Sequence, residues 1–242
     1  MNARIKYVLD YFRKIYQIPD EIEIGYGTDH CRVNICRSRT TYFNMLHKFD
    51  SNQVTWKQWK NRRIPILFGD GRQDSIIEKQ NDKVTIRDDI LLSAFFFLSG
   101  WQEYVYFYNQ KHSFYPYSES IQSRLGITQE PVVQLYFDIL KTAVEKSYQK
   151  SFKTRNWQGK PLSLCLTHDV DKCQTGWMED CFYTMKKGQL RNSIRIISQR
   201  IRGKDTWDNF NHILDLEKKY NARSSFYFMA RKKQPGGENG DY

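Results

Sequence analysis

The chain lacks an apolar run long enough to cross a bilayer. Its most apolar stretch, Ile90 to Trp101, is twelve residues long, where a span needs about twenty. Met1 to Gln17 is basic at its start, carries Asp10 among other charges and has no h-region, so it does not read as a signal peptide. Cysteine is sparse and odd in number. Its five copies (Cys31, Cys36, Cys165, Cys173 and Cys181) never take the paired C-x-x-C spacing of zinc modules. Free thiols in a reducing compartment are expected, which makes the protein soluble and cytoplasmic, with no transmembrane segment. No internal repeat or low-complexity tract occurs. No helix-turn-helix, zinc-finger or RNA-binding signature is present either, which excludes a specific nucleic-acid partner.

What is abundant is aromatic and basic. Sixteen Tyr and fifteen Phe in 242 residues describe a globular chain with ample material for a core. A net charge of +11 argues for solubility and general attraction to anions, not for one function. Residues 4–17 set Ile5, Val8, Leu9, Phe12, Ile15 and Tyr16 at helical spacing. From Glu21 to Tyr26 the alternation predicts a short strand. Ile64 to Phe68 predicts a buried strand closed by turn residues, with Lys83 to Arg87 as its partner. Asp88 and Asp89 suit a helix start, and the helix is expected to run on to about Tyr108, apolar on nearly every side. Its continuation, the aromatic stretch Tyr104 to Tyr117, suits either core packing or stacking on sugars, core being the commoner use. Residues 109–130 read as loop, and Pro131 opens another helix over about 131–149.

Lys150 to Lys160 is polar and basic, and we place a domain boundary there. The chain divides into an N-terminal α/β domain, residues 1–155, and a second domain, residues 156–242. Pro161 opens a strand in which Leu162, Leu164 and Leu166 alternate with Ser163, Cys165 and Thr167. This strand finishes in His168, Asp169 and Asp171. In extended geometry Asp169 and Asp171 share one face and His168 takes the other. Ligands of parallel α/β sheets sit beyond the carboxyl ends of strands, so these acids are site candidates. A polar turn with one Asp capping the next helix explains them equally well. Residues 181–204 carry Lys186, Lys187, Arg191, Arg195, Arg200, Arg202 and Lys204. Leu190, Ile194, Ile197 and Ile201 fall on one face. This is a basic amphipathic helix, either a solvated face or a contact for an anionic surface.

The string Leu166-Thr167-His168-Asp169-Val170-Asp171 resembles the first motif of a branch of the polysaccharide deacetylase family. Asn221 to Met229 looks like that family's second strand. Asp205 to Tyr220 resembles the helix leading into it, with Trp207, Phe210, Ile213, Leu214 and Tyr220 as its buried side. Asp89 to Tyr104 looks like the uncharacterised domain that precedes such deacetylases in many bacterial proteins. The resemblance implies a distorted (β/α) barrel and a divalent metal, zinc first. It implies a hydrolase removing acetyl groups from a polysaccharide or amino sugar. It makes Asp169 the catalytic base. Val170 holds the place of the usual metal-binding Asp, so Asp171 becomes a metal ligand by a match shifted one place. His168 is a secondary ligand candidate, with a packed or hydrogen-bonded imidazole as the expected alternative. The family also requires two later histidines spaced i and i+4, yet no histidine follows His212. The resemblance therefore implies a truncated barrel with an incomplete ligand set, in a fragment, an interrupted frame or a split gene. A non-catalytic remnant or a glycan- or anion-binding module is the alternative.

Overall fold

The computed structural model describes residues 2–69, 71, 75–110, 114–160, 162–170, 176–204 and 207–228. They fall into two compact units, Met1–Pro161 and Leu162–Tyr242, each described by itself. The mixture of helices and sheets agrees with the expected α/β class. No described helix is long and apolar enough to cross a membrane. Cys31, Cys36, Cys165 and Cys181 are unbridged, and Cys173 lies outside the described residues.

In the first unit, α1 (Ala3–Tyr16) buries Ile5, Val8, Leu9, Phe12 and Tyr16, the stripe its spacing predicts. Asn2 Oδ1 caps it by accepting from Arg4 N at 3.0 Å. A sheet of order β1-β2-β6-β5 follows. Here β1 (Ile24–Tyr26), β2 (Val33–Ile35) and β6 (Lys83–Ile86) run parallel, and β5 (Ile77–Gln80) is an antiparallel edge. Residues 27–32 alone return the chain from β1 to β2, where parallel connections usually need a dozen residues or more. Strands of three residues make this workable, because the return path is only about 10 Å. A hairpin of β3 (Thr55–Trp59) and β4 (Arg62–Ile66) pairs Lys57 with Ile64. The expected partnership of Lys83–Arg87 with Ile64–Phe68 is thus wrong. β6 is claimed by β2 and β5, and β4 by β3. Strand partners are set by chain path, which a local apolar pattern does not encode.

The single helix expected up to Tyr108 is two, α2 (Ile90–Leu98) and α3 (Trp101–Gln110). Gly100 takes φ +60° between them, a conformation that ends a helix and that glycine adopts at no steric cost. The expected loop over 109–130 contains a short helix, α4 (Ile121–Leu125), capped by Ser120. α5 (Val132–Tyr148) begins after Pro131, as predicted, and packs on β6 and α2. An aromatic cluster fills the rest of the core: Tyr42 to Phe49 at 5.3 Å, Phe49 to Phe96 at 5.4 Å and Phe43 to Phe68 at 5.5 Å between ring centroids.

The second unit comprises β7 (Leu166–Val170), α6 (Gly176–Lys186), α7 (Leu190–Ile201), α8 (Phe210–Lys219) and β8 (Ser224–Phe228). β7 and β8 pair in parallel, Leu166 opposite Ser224 and Val170 opposite Phe228. These described strands form no barrel. β7 starts at Leu166 and not at the leucines before it, and Leu164 is 72% exposed. Continued pairing would set Leu164 opposite Ala222, but Ala222 N is already bonded to Glu217 O at 2.8 Å, closing α8. The basic segment 181–204 is also divided. Gly188, at φ +71°, separates α6 from α7, and α7 packs back on α6. Its apolar stripe is uncovered among the described residues, with Ile201 81% exposed. Likewise Trp207, Leu214 and Tyr220, expected to be buried, are exposed. The described elements of this unit place no second layer over that side of α8.

Candidate functional site

At the carboxyl end of β7, alternation puts Leu166, His168 and Val170 on the half-buried face and Thr167 and Asp169 on the exposed one. The parallel register sets His168 beside Phe226 and Asp169 beside Tyr227. The His168 ring stacks on Phe226, with centroids 4.6 Å apart and planes 24° apart. Phe226 leans in turn on Phe210 of α8 at 5.6 Å. His168 Nε2 lies 3.4 Å from Glu217 Oε1, and the two form an ion pair only when the imidazole is protonated. Asp169 stands on the other face, its carboxylate in solvent beside the exposed Tyr227. Asp171 lies outside the described residues.

The structure therefore brings His168 to Phe226 and Glu217 but does not bring it to Asp169. Glu217 was not singled out from sequence. Its only signal is an acid on the helix leading into β8, and the β7–β8 register is what gives that acid a partner. Among the described residues, no group of three or more His, Cys, Asp or Glu side chains could hold a metal ion. Asp169 offers one exposed carboxylate, and His168 has its Nε2 engaged with Glu217 on the opposite face. The described donors alone fall short of zinc, which takes four ligands, or three and a water.

The first unit carries a second concentration of polar chemistry where β1, β2 and β6 end. Asp89 is buried, and its Oδ2 accepts from Tyr26 Oη at 2.6 Å and from Ser38 N at 2.8 Å. Its Oδ1 caps α2 through Leu92 N at 2.9 Å. Burial raises the Asp89 carboxyl above the usual carboxylate range, and these hydrogen bonds only partly oppose the rise. A cleft of about 540 Å³ opens over it, with Arg37 and Arg39 at its lip. Beside it, Asp88 and Lys57 form a fully enclosed ion pair, Nζ to Oδ2 3.6 Å. The acids at 88 and 89 were legible as a helix start. Their second role, tying Tyr26 of β1, Ser38 after β2 and Lys57 of β3 to the start of α2, depends on contacts that are distant in sequence.

The first unit is an α/β domain built on a short parallel sheet, and the second holds a parallel strand pair ending in an acid. Residues 1–149 match the DUF7033 family, a family of unknown function, and the chain belongs to it. No curated protein and no solved structure matches the chain.

Proposed function

We propose that the chain joins its DUF7033 domain to a segment of a polysaccharide deacetylase-type hydrolase, which removes acetyl groups from a polysaccharide or amino sugar. Asp169 is its general base. The observation that supports this reading is the parallel pairing of β7 with β8, which leaves the Asp169 carboxylate exposed at the carboxyl end of a strand. An exposed carboxylate there can take the proton of a water attacking an acetyl carbonyl and return it to the leaving oxygen or nitrogen. The resemblance also implies a zinc ion, with Asp171 and secondarily His168 as ligands. Asp171 lies outside the described residues, and His168 leaves β7 on the face opposite Asp169.

The test is acetate release from acetylated amino-sugar polymers, with zinc supplied, by a protein in which this segment is completed to a full deacetylase barrel, and by its Asp169→Asn variant. Loss of about a hundredfold or more in kcat is expected. An unchanged rate, or no acetate from any such polymer, would overturn the reading. One observation favours a second reading, a module that binds glycans or other anions. Arg191, Arg195, Arg200 and Arg202 are all exposed beside the uncovered apolar stripe of α7.

A further inference from the structure

The first unit holds a cleft of about 350 Å³ between α3, α4 and the segment around Tyr42 to Phe49. That size is suited to a small molecule. Its apolar walls are rings: Tyr42, Phe49 and Phe96 on one side, Tyr106 and Tyr115 on another. Tyr106 and Tyr115 meet edge to face, 5.2 Å apart at 75°. Burial, reinforced by the nearby Glu103, pushes the Tyr115 phenol up to about 12, so it keeps its proton through the neutral range.

The polar lining is held in place by bonds to the protein's own backbone. Arg124 donates through Nη1 to Phe49 O at 3.3 Å and through Nη2 to Glu119 O at 3.0 Å. Asn109 Nδ2 donates to Leu46 O at 2.8 Å, and Gln102 Oε1 accepts from Ile121 N at 2.7 Å. Lys48 pairs with Glu119 Oε2 at the mouth. Each bond fixes a head group and, among the described residues, leaves capacity unspent: Arg124 Nε as donor, and Asn109 Oδ1 and Glu119 Oε1 as acceptors. These groups are already ordered, so a ligand would meet them without the entropic cost of fixing them.

This combination selects a chemistry. A hydrocarbon would cover the remaining donor and acceptor sites and cut them off from water without replacing those contacts. A bare phosphate supplies acceptors only, confronts Glu119, and has nothing to cover five rings. Hydroxyl groups donate and accept at once, which suits a lining of mixed donors and acceptors. The C–H faces of a sugar ring suit aromatic walls. We propose that this cleft binds one pyranose ring, with Tyr106 against its face, Tyr115 at its edge and Asn109, Glu119 and Arg124 on its hydroxyls. Lys48 and Glu119 cancel in charge and Arg124 does not, so an acidic sugar binds more tightly than a neutral one. The site is independent of Asp169 and of the deacetylase reading.

The experiment is a ligand-observed NMR titration of the whole chain with glucuronic acid and with N-acetylglucosamine. Saturable binding of both is expected, with Kd of about 1 mM for the weaker, the affinity of a small ligand held by a few hydrogen bonds. Tyr106→Ala should weaken binding tenfold or more, and Tyr106→Phe should retain it. The double variant Asn109→Ala/Glu119→Gln removes one hydrogen bond to Leu46 O and one ion pair with Lys48, both on side chains outside the core. It should lose at least fivefold in affinity while still melting cooperatively, within several degrees of the parent. Asp169→Asn should bind like the parent, which separates failure here from failure of the hydrolase reading. Absence of saturable binding for both sugars, or equal affinity in the parent and the double variant, would overturn the proposal.

Discussion

The buried ion pair between Lys57 and Asp88 allows a quantitative prediction. Lys57 lies in the middle of β3, opposite Ile64, with its side chain 5% exposed, and Asp88 is 0% exposed at the entry to α2. At 3.6 Å and an effective dielectric near 20, their attraction is about 4–5 kcal/mol. Gly69 makes room for the carboxylate, since a Cβ there would stand 2.7 Å from Asp88 Oδ1. Lys57→Met keeps the aliphatic stem and removes the charge that faces the buried Asp88. The expected cost is about 3–5 kcal/mol, a large share of the roughly 5–15 kcal/mol that holds a domain together. Removing both charges, as in Lys57→Met with Asp88→Ala, should recover much of that loss, because burying a charge whose counter-ion has been removed costs more than replacing the pair by apolar groups. The control is Lys60→Met, three residues along the chain, whose exposed ammonium pairs with Asp138 at 2.6 Å. It should cost no more than about 1 kcal/mol. The assay is urea unfolding followed by tryptophan fluorescence, reported by Trp56 and Trp59 on the same hairpin, with m-values compared among variants. Equal losses for the two single lysine variants, or a double variant no more stable than Lys57→Met, would refute the reasoning.

Asp89 should impose a pH dependence of opposite sense to an ordinary capping acid. Burial raises its carboxyl, so its favourable contribution is fully present below the ordinary value of 3.8 and fades as pH rises through the raised value. Asn caps equally well without titrating, so the penalty of Asp89→Asn should shrink between about pH 4 and pH 7 in urea melts. A penalty that grows over that range would contradict the assignment. On the second unit, neutralising Arg191, Arg195, Arg200 and Arg202 together should abolish any salt-sensitive binding to DNA or anionic liposomes. Unchanged binding would reject the anionic-contact role of residues 181–204.

Some of the first unit could be read directly and some could not, for physical reasons. α1 was legible because five core residues recur at i, i+3 and i+4, and α5 because Pro131 marks its start. β2 was not, since Val33-Asn34-Ile35 is too short to show a period. β3 was hidden by its own chemistry. Lys57, a charged residue among Trp56, Gln58 and Trp59, points inward only because Asp88 waits there, thirty-one residues later in the chain. The break at Gly100 was missed because apolar residues on both sides continue a helical pattern and outweigh one glycine in any local reading.

The candidate site on β7 shows the same division between residue chemistry and register. Both strands and the opposite facing of His168 and Asp169 could be expected from the residues. Where β7 begins could not, because that depends on where β8 begins its pairing. β8 starts at Ser224 because Ala222 has already been spent on the end of α8. Glu217, too, gains a partner only through the register that brings His168 to Phe226. This geometry constrains any ligand at the strand end. His168 and Asp169 are consecutive residues of an extended strand, so their side chains leave opposite faces and cannot close on one ion while β7 keeps its pairing. A ligand held by Asp169 must draw its other contacts from the face that carries Thr167 and Tyr227, and His168 serves the packing of α8 against β8.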